Sequence, residues 1–365
     1  MATTSVDPRP RCRRTVEANV WDSVCSEVSM AETRHRPTLE QVALRAGVSR
    51  ATVSRVVNGS TSVASDIRDT VLVAVRELGY VPNAAARSLV TQRTGSMALV
   101  FPEPATRVFS DDPFFPGIVR GVSQELEEAN YQLVLMMANS EASHDRIEQY
   151  ALARHVDGVM MASMHGADPL PRALHRMGIP VVAMERPLGP ANIPIVGVDS
   201  LSGAAAAVRH LIERGRTRIA TIAGPQDMPA GLDRLAGYRL ELRGSKSRSI
   251  VAVGDFTRES GELAMRQLLE DDPTLDAVFV ASDLMAHGAL RALRLAGRRV
   301  PQDVAVVGFD DFEFAQYTEP PLTTVRQPVV ELGRLLARQL VRLVSGEEIE
   351  ASVILATELI VRESS

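Results

Sequence analysis

The chain has 365 residues, 45% of them hydrophobic and 23% charged, with a net charge of −5. That is too long for one small fold and too apolar for wholesale disorder, and at roughly 100–200 residues per domain it implies two or three domains. The longest apolar runs, such as Met97–Pro102 and Ala277–Ala281, fall far short of the roughly 20 residues a membrane helix needs, so no membrane association is expected.

The amino terminus carries arginines but no continuous apolar stretch of the kind that makes a secretory signal, and the cytoplasm is the expected compartment. Both cysteines, Cys12 and Cys25, lie in this leader, which argues against a disulfide framework or a cysteine-based metal site. Net negative charge disfavours nucleic acid, yet the average conceals a split. Residues 34–94 carry nine arginines against four carboxylates, a net +5, whereas residues 95–365 carry −9. One short segment is basic and the bulk is acidic. Lys246 is the single lysine among 40 basic residues, so arginine identity by itself means little.

In chain order, residues 1–36 are expected to be a disordered arm, and Met30, followed by AETRHRPTLEQVA, is the expected start of translation. Residues 37–81 read as three short helices. Thr38 and Gln41 are spaced as a capping box ahead of Val42, Ala43, Leu44 and Ala46, and Gly47 ends that helix. Ser49 caps a second, in which Val53, Val56 and Val57 recur at helical spacing, and Asn58-Gly59 stops it. The third runs from about Ser65 to Leu78, with Ile67, Val71, Val75 and Leu78 on one stripe and Gly79 closing it. Two short helices joined by a glycine turn and braced by a third suit a helix-turn-helix DNA reader, with a generic three-helix bundle as the bland alternative. The local charge favours the DNA reader, as do Thr38, Ser49, Thr52, Ser54 and Asn58, whose hydroxyl and amide groups suit phosphate oxygens.

Residues 82–94 are alanine-rich and read as a linker that can become a short helix. From 95 to 365, β-rich runs alternate with amphipathic helical runs, the pattern of parallel sheets in βαβ units. The predicted strands are 96–101, 132–137, 157–162, 180–184, 195–198, 217–222, 249–253, 276–281, 304–309 and 352–359. Alternation of that length predicts an α/β core of two doubly wound lobes. No HExxH, GxSxG or P-loop pattern is present, so an enzyme is not expected. Neither is a cofactor or a metal site: Asp283 and His287, one helical turn apart, read as a surface pair.

The segments TLEQVALRAGVSRATVSRVVNG, LGYVPNAAARSL, DPFFPGIVRGV, VDGV, RLAGYR, ASDLMAHGAL, DVAVVGFDD and PPLTTVRQP together resemble the LacI/GalR family of bacterial transcription regulators, from about Pro37 to Glu358. The resemblance implies an all-α headpiece, a hinge helix and a two-lobed core like that of periplasmic binding proteins. It implies a homodimer on double-stranded operator DNA, with a small effector, expected to be a sugar, between the lobes. By motif, Arg50, Ala51 and Arg55 approach base edges, and Ala86 and Leu89 belong to the hinge, where the leucine wedges into the minor groove. Arginine can donate twice to guanine, and an apolar wedge unstacks a base step. The resemblance also places effector contacts at Phe114, Phe115, Glu185, Arg186, Arg234, Phe256, Ser282, Asp283, Asp310 and Gln327, with Ala162 and Ser163 nearby. Carboxylates and an arginine suit vicinal hydroxyls, and an aromatic ring suits a sugar face.

Four features depart from the family. Glu185 stands where aspartate is common, Ser282 where asparagine is common, Ala162 replaces a polar residue found in some sugar-binding members, and the segment after Tyr238 is short. The expected function is a ligand-responsive repressor of a carbohydrate-use operon. The alternatives are a nucleoside- or purine-responsive regulator and a transport-type sugar-binding protein, which would need an export signal and no headpiece.

Overall fold

The computed structural model describes residues 37–60, 62–81, 93–190, 192–243 and 249–365. The predicted arm, Met30, Ala86, Leu89, most of the linker and residues 244–248 of the short segment after Tyr238 lie outside them. The chain divides into two compact units, 1–87 and 88–365.

The smaller unit contains α1 (Leu39–Ala46), α2 (Arg50–Val57) and α3 (Ser65–Leu78). Its caps follow from local chemistry. Thr38 Oγ1 accepts from the Gln41 amide while Gln41 Oε1 accepts from the Thr38 amide, at 3.3 and 2.8 Å, which satisfies two helix-end donors reciprocally. Ser49 Oγ accepts from the Thr52 amide at 3.1 Å. Gly47 ends α1 with φ +65°, a left-handed conformation that side chains resist. Val42, Val53, Val56, Val71 and Ala74 form the core. The apolar stripe differs from the predicted one: Ile67 is exposed and Ala74 takes the inward place on α3, while Leu44 on α1 is 86% exposed.

The larger unit is built on two six-stranded sheets. The first lobe carries β1 (Ser96–Phe101), β2 (Gln132–Met137), β3 (Gly158–Met161), β4 (Val181–Met184), β5 (Ile195–Val198) and β11 (Ser352–Leu355), in the order β11-β5-β4-β3-β1-β2. The second carries β6 (Ile219–Ala223), β7 (Ile250–Val253), β8 (Ala277–Val280), β9 (Ala305–Asp310), β10 (Thr323–Arg326) and β12 (Glu358–Ile360), in the order β12-β10-β9-β8-β6-β7. All pairs are parallel except β10 with β12. Helices cover the faces, and most strands are therefore buried on both sides and read as continuous apolar runs.

Two strand expectations are corrected. The run 352–359 is not one strand, because Ala356 and Thr357 carry the chain from the first sheet to the second between β11 and β12. In addition β10 was not predicted; it is four residues long and closely followed by a proline. The chain also crosses between lobes after β5 at Asp199 and after β10 at Gln327-Pro328. These crossings lie together: Thr357 Oγ1 donates to the Asp199 carbonyl at 3.2 Å. Gly203 packs beneath them, where a Cβ would stand 2.6 Å from Thr357 Oγ1.

Candidate effector cleft and DNA-reading surface

In parallel α/β sheets, side chains that follow the carboxyl ends of the strands converge on one edge. Here two such edges face each other across a cavity of about 400 Å³. Its walls include Phe114 and Phe115 after β1, Ser163 after β3, Glu185 after β4, Phe256 after β7, Ser282 after β8, Asp310 at the end of β9, and Gln327 in a crossing. Arg234 reaches it from the helix Pro229–Leu242. Ser163, Glu185, Phe256 and Asp310 all have positive φ, at 60°, 62°, 66° and 127°. Backbone strain of this kind persists only where the surrounding structure holds it, and it gathers here on the cavity wall.

The floor is a buried polar network. Arg234 donates to the Ala281 carbonyl at 2.6 Å, lies 3.6 Å from Asp310 Oδ1, and stacks 3.8 Å above the centre of the Phe309 ring. Phe256 flanks the same guanidinium at 5.7 Å. Gln327 Nε2 donates to Asp310 Oδ1 at 2.5 Å. Burial pushes the Asp310 carboxyl up to about 7 against the pull of Arg234. Glu185 and Asp112 are also raised, chiefly by burial.

Two of the expected contacts stand off the cavity wall. Arg186 points to the cleft edge and makes a bidentate pair with Asp233 of the second lobe, at 2.5 and 2.7 Å. Asp283 is fully buried behind the wall, so it is not a surface partner of His287. It accepts from Thr324 Oγ1 at 2.5 Å and from the Phe312 amide at 3.0 Å. Its helix is capped by Ser282, whose Oγ accepts from the Met285 amide at 3.2 Å. Ala162 is buried in the first lobe's core and only its neighbour Ser163 reaches the cavity.

Sequence reasoning missed Glu103, Arg107, Asp112, His165, Asp227, Asp255 and Thr257, all on the wall. Their shared signal is position: each follows the carboxyl end of a strand, Arg107 in the short helix Ala105–Val108 and the others in loops. His165 links the lobes. One ring nitrogen lies 3.0 Å from Glu103 Oε1 of its own lobe and the other 2.9 Å from Asp227 Oδ2 of the second lobe. The Glu103 carboxylate, helped by Asp227 and opposed by burial, raises the imidazole to about 9. Arg258 and Asp111 form another cross-lobe pair at 2.8 Å.

On α2 the inward valines leave Arg50, Ala51, Arg55 and Asn58 exposed, with Thr52 and Ser54 half-buried. Thr38 and Ser49 are exposed as well. Arg50 Nε pairs with Glu40 of α1 at 3.0 Å across the surface, and the Asn58 amide donates to Ser54 Oγ at 3.3 Å. Among the described residues no three His, Cys, Asp or Glu side chains are placed to hold a metal ion, and no helix is long and apolar enough to cross a membrane.

A helical headpiece with one exposed polar helix face, followed by a two-lobed α/β core around a polar cleft, defines a ligand-gated DNA reader by architecture. The lacI family of bacterial regulatory proteins matches residues 38–83, and the periplasmic binding protein-like domain matches residues 208–365. The chain is 50% identical over 339 residues to the HTH-type transcriptional regulator CelR of Thermobifida fusca, covering 91% of this chain and 99% of that one. It is 34% identical to the ribose operon repressor of Escherichia coli K12, covering 90% and 99%. Among solved structures, a CelR–cellobiose complex matches with a TM-score of 0.72 at 48% identity, over 90% of this chain and 100% of that one. The lac repressor dimer bound to operator and the anti-inducer ONPF matches with a TM-score of 0.78 at 28% identity, over 90% and 99%. The chain belongs to the LacI family and is a ligand-responsive, DNA-binding transcription regulator.

Proposed function

We propose that the chain is a homodimeric repressor of a carbohydrate-use operon, acting in the cytoplasm, whose effector is a neutral sugar held between the lobes. The observation that carries this reading is the composition of the cleft. Arg234, Asp310 and Gln327 offer fixed donors and acceptors at the floor, and Phe256 offers a ring face beside them. Glu103, Asp112, Glu185, Asp227, Asp255 and Asp310 share the walls with Arg107, Arg234 and His165, so even with Asp112, Glu185 and Asp310 raised by burial the walls hold no surplus of cations to draw an anionic ligand. A polyhydroxyl ligand can donate to the carboxylates and accept from the arginine. Similarity to a regulator solved with cellobiose supports the same class.

On the DNA side, Arg50 and Arg55 read base edges, Ala51 meets a thymine methyl, and Thr38, Ser49, Thr52, Ser54 and Asn58 hold phosphates. Ala86 and Leu89 enter the minor groove, with Leu89 as the wedge. An effector that changes the angle between lobes changes the separation of the two hinge segments in the dimer, a coupling of about 1–3 kcal/mol.

The test is a mobility-shift titration of the full chain on promoter fragments from its own genome, with and without cellobiose. Specific binding that cellobiose shifts about tenfold is expected, and Leu89→Ala should weaken it without touching sugar binding. No fragment bound under either condition, or no sugar that changes binding, would overturn the reading.

A further inference from the structure

A second cavity of about 260 Å³ opens beside the main one, at the rim of the cleft. The first lobe contributes Thr106, Ser110 and Asp111 to it, and the second contributes Arg258 and Glu259. Arg107, Thr257 and Leu284 belong to both cavities, so these three side chains are their common wall. A ligand that fills the main cavity and extends toward solvent on this side passes them.

We propose that the rim cavity is a subsite for a further glycosyl unit, by which the protein favours a longer oligosaccharide over a shorter one. The inference rests on the sugar reading above and adds to it a place and a length. Its chemistry is balanced. Two guanidiniums, Arg107 and Arg258, and two carboxylates, Asp111 and Glu259, line it among the hydroxyls of Thr106, Ser110 and Thr257, with Arg107 paired to Asp112 at 3.0 Å. An anion would meet the carboxylates and a cation the guanidiniums, whereas sugar hydroxyls both donate and accept and can use either kind of group.

Arg258 ties the rim to both lobes: its Nη2 holds Asp111 Oδ2 across the lobes at 2.8 Å. This partly exposed pair presents both donors and acceptors to sugar hydroxyls. Because both lobes wall the cavity, a ring seated there also touches both, and so contributes to closure as well as to affinity.

Calorimetric titration of the full-length protein with the β-1,4-linked glucose disaccharide and trisaccharide tests this. The trisaccharide should bind at least about fivefold tighter. The double variant Thr106→Ala, Glu259→Ala removes two exposed rim groups. It should bring the two affinities within about twofold while its melting curve and disaccharide affinity stay as in the parent. A parent protein that binds the disaccharide but gains nothing from the third ring overturns the subsite alone, as does an advantage that survives in the double variant. Failure to bind either saccharide overturns the sugar reading beneath it.

Discussion

The headpiece and the core place their proposed functional side chains in opposite physical circumstances. On α2, Arg50, Ala51, Arg55 and Asn58 are exposed, while Val53 and Val56 on the other face hold the helix to its neighbours. On the proposed DNA-reading role of α2, folding and reading are divided between two faces, so the reading face can vary at little cost to stability. In the cleft the same groups serve both ends. Arg234 and Asp310 are buried, and desolvating a charge is expensive unless it is paired and hydrogen-bonded. On the proposed assignments, specificity for DNA is therefore cheap to alter in this fold, and specificity for the effector is not.

The sharpest way to break that contrast is Arg234→Ala. The substitution strips Asp310 of its buried counter-charge, so effector binding should fall by more than about 100-fold and unfolding stability by about 3 kcal/mol. Calorimetry and urea denaturation measure the two losses; full effector binding in the variant would remove Arg234 from the site. Arg55→Ala is the headpiece counterpart. Operator affinity should drop by about 1–3 kcal/mol while the melting temperature moves by less than about 1 °C. Equal loss on operator and unrelated DNA, with a salt slope reduced by about 1, would instead assign Arg55 to a phosphate.

The smallest expected effect concerns His165. Its imidazole is raised from 6.5 to about 9 by Glu103, with Asp227 adding to it, so its contribution is whole below pH 6.5 and disappears as pH rises through 9. The parent should melt about 2 °C above His165→Gln at pH 6, and the lead should vanish by about pH 10. A constant lead across that range would show that the ring acts by packing rather than by charge.

What could be read from the sequence follows the range of the interactions. Caps are local, so Thr38 with Gln41, Ser49 and Gly79 are visible as spacing, and so are most strands, being short apolar runs. Sheet membership is not local. Nothing in Ser352–Ile360 announces that β11 pairs with β5 and β12 with β10, and only the break at Ala356-Thr357 separates them. Within the site, the motif named Glu185 with Arg186 and Ser282 with Asp283, and only the first of each pair forms the cavity wall. The cross-lobe pairs were out of reach for a different reason. Asp227 and Asp233 lie 62 and 47 residues from their partners His165 and Arg186, and on a surface helix or loop each reads as an ordinary solvated charge.

The three crossings at Asp199, Gln327-Pro328 and Ala356-Thr357 have a mechanical corollary. Parallel strings fastened close together resist stretching and sideways slip far better than bending or twisting about their common line. A protease cut at any one of them would still leave two covalent tethers, and the nicked protein should keep its halves in register through many cycles of opening.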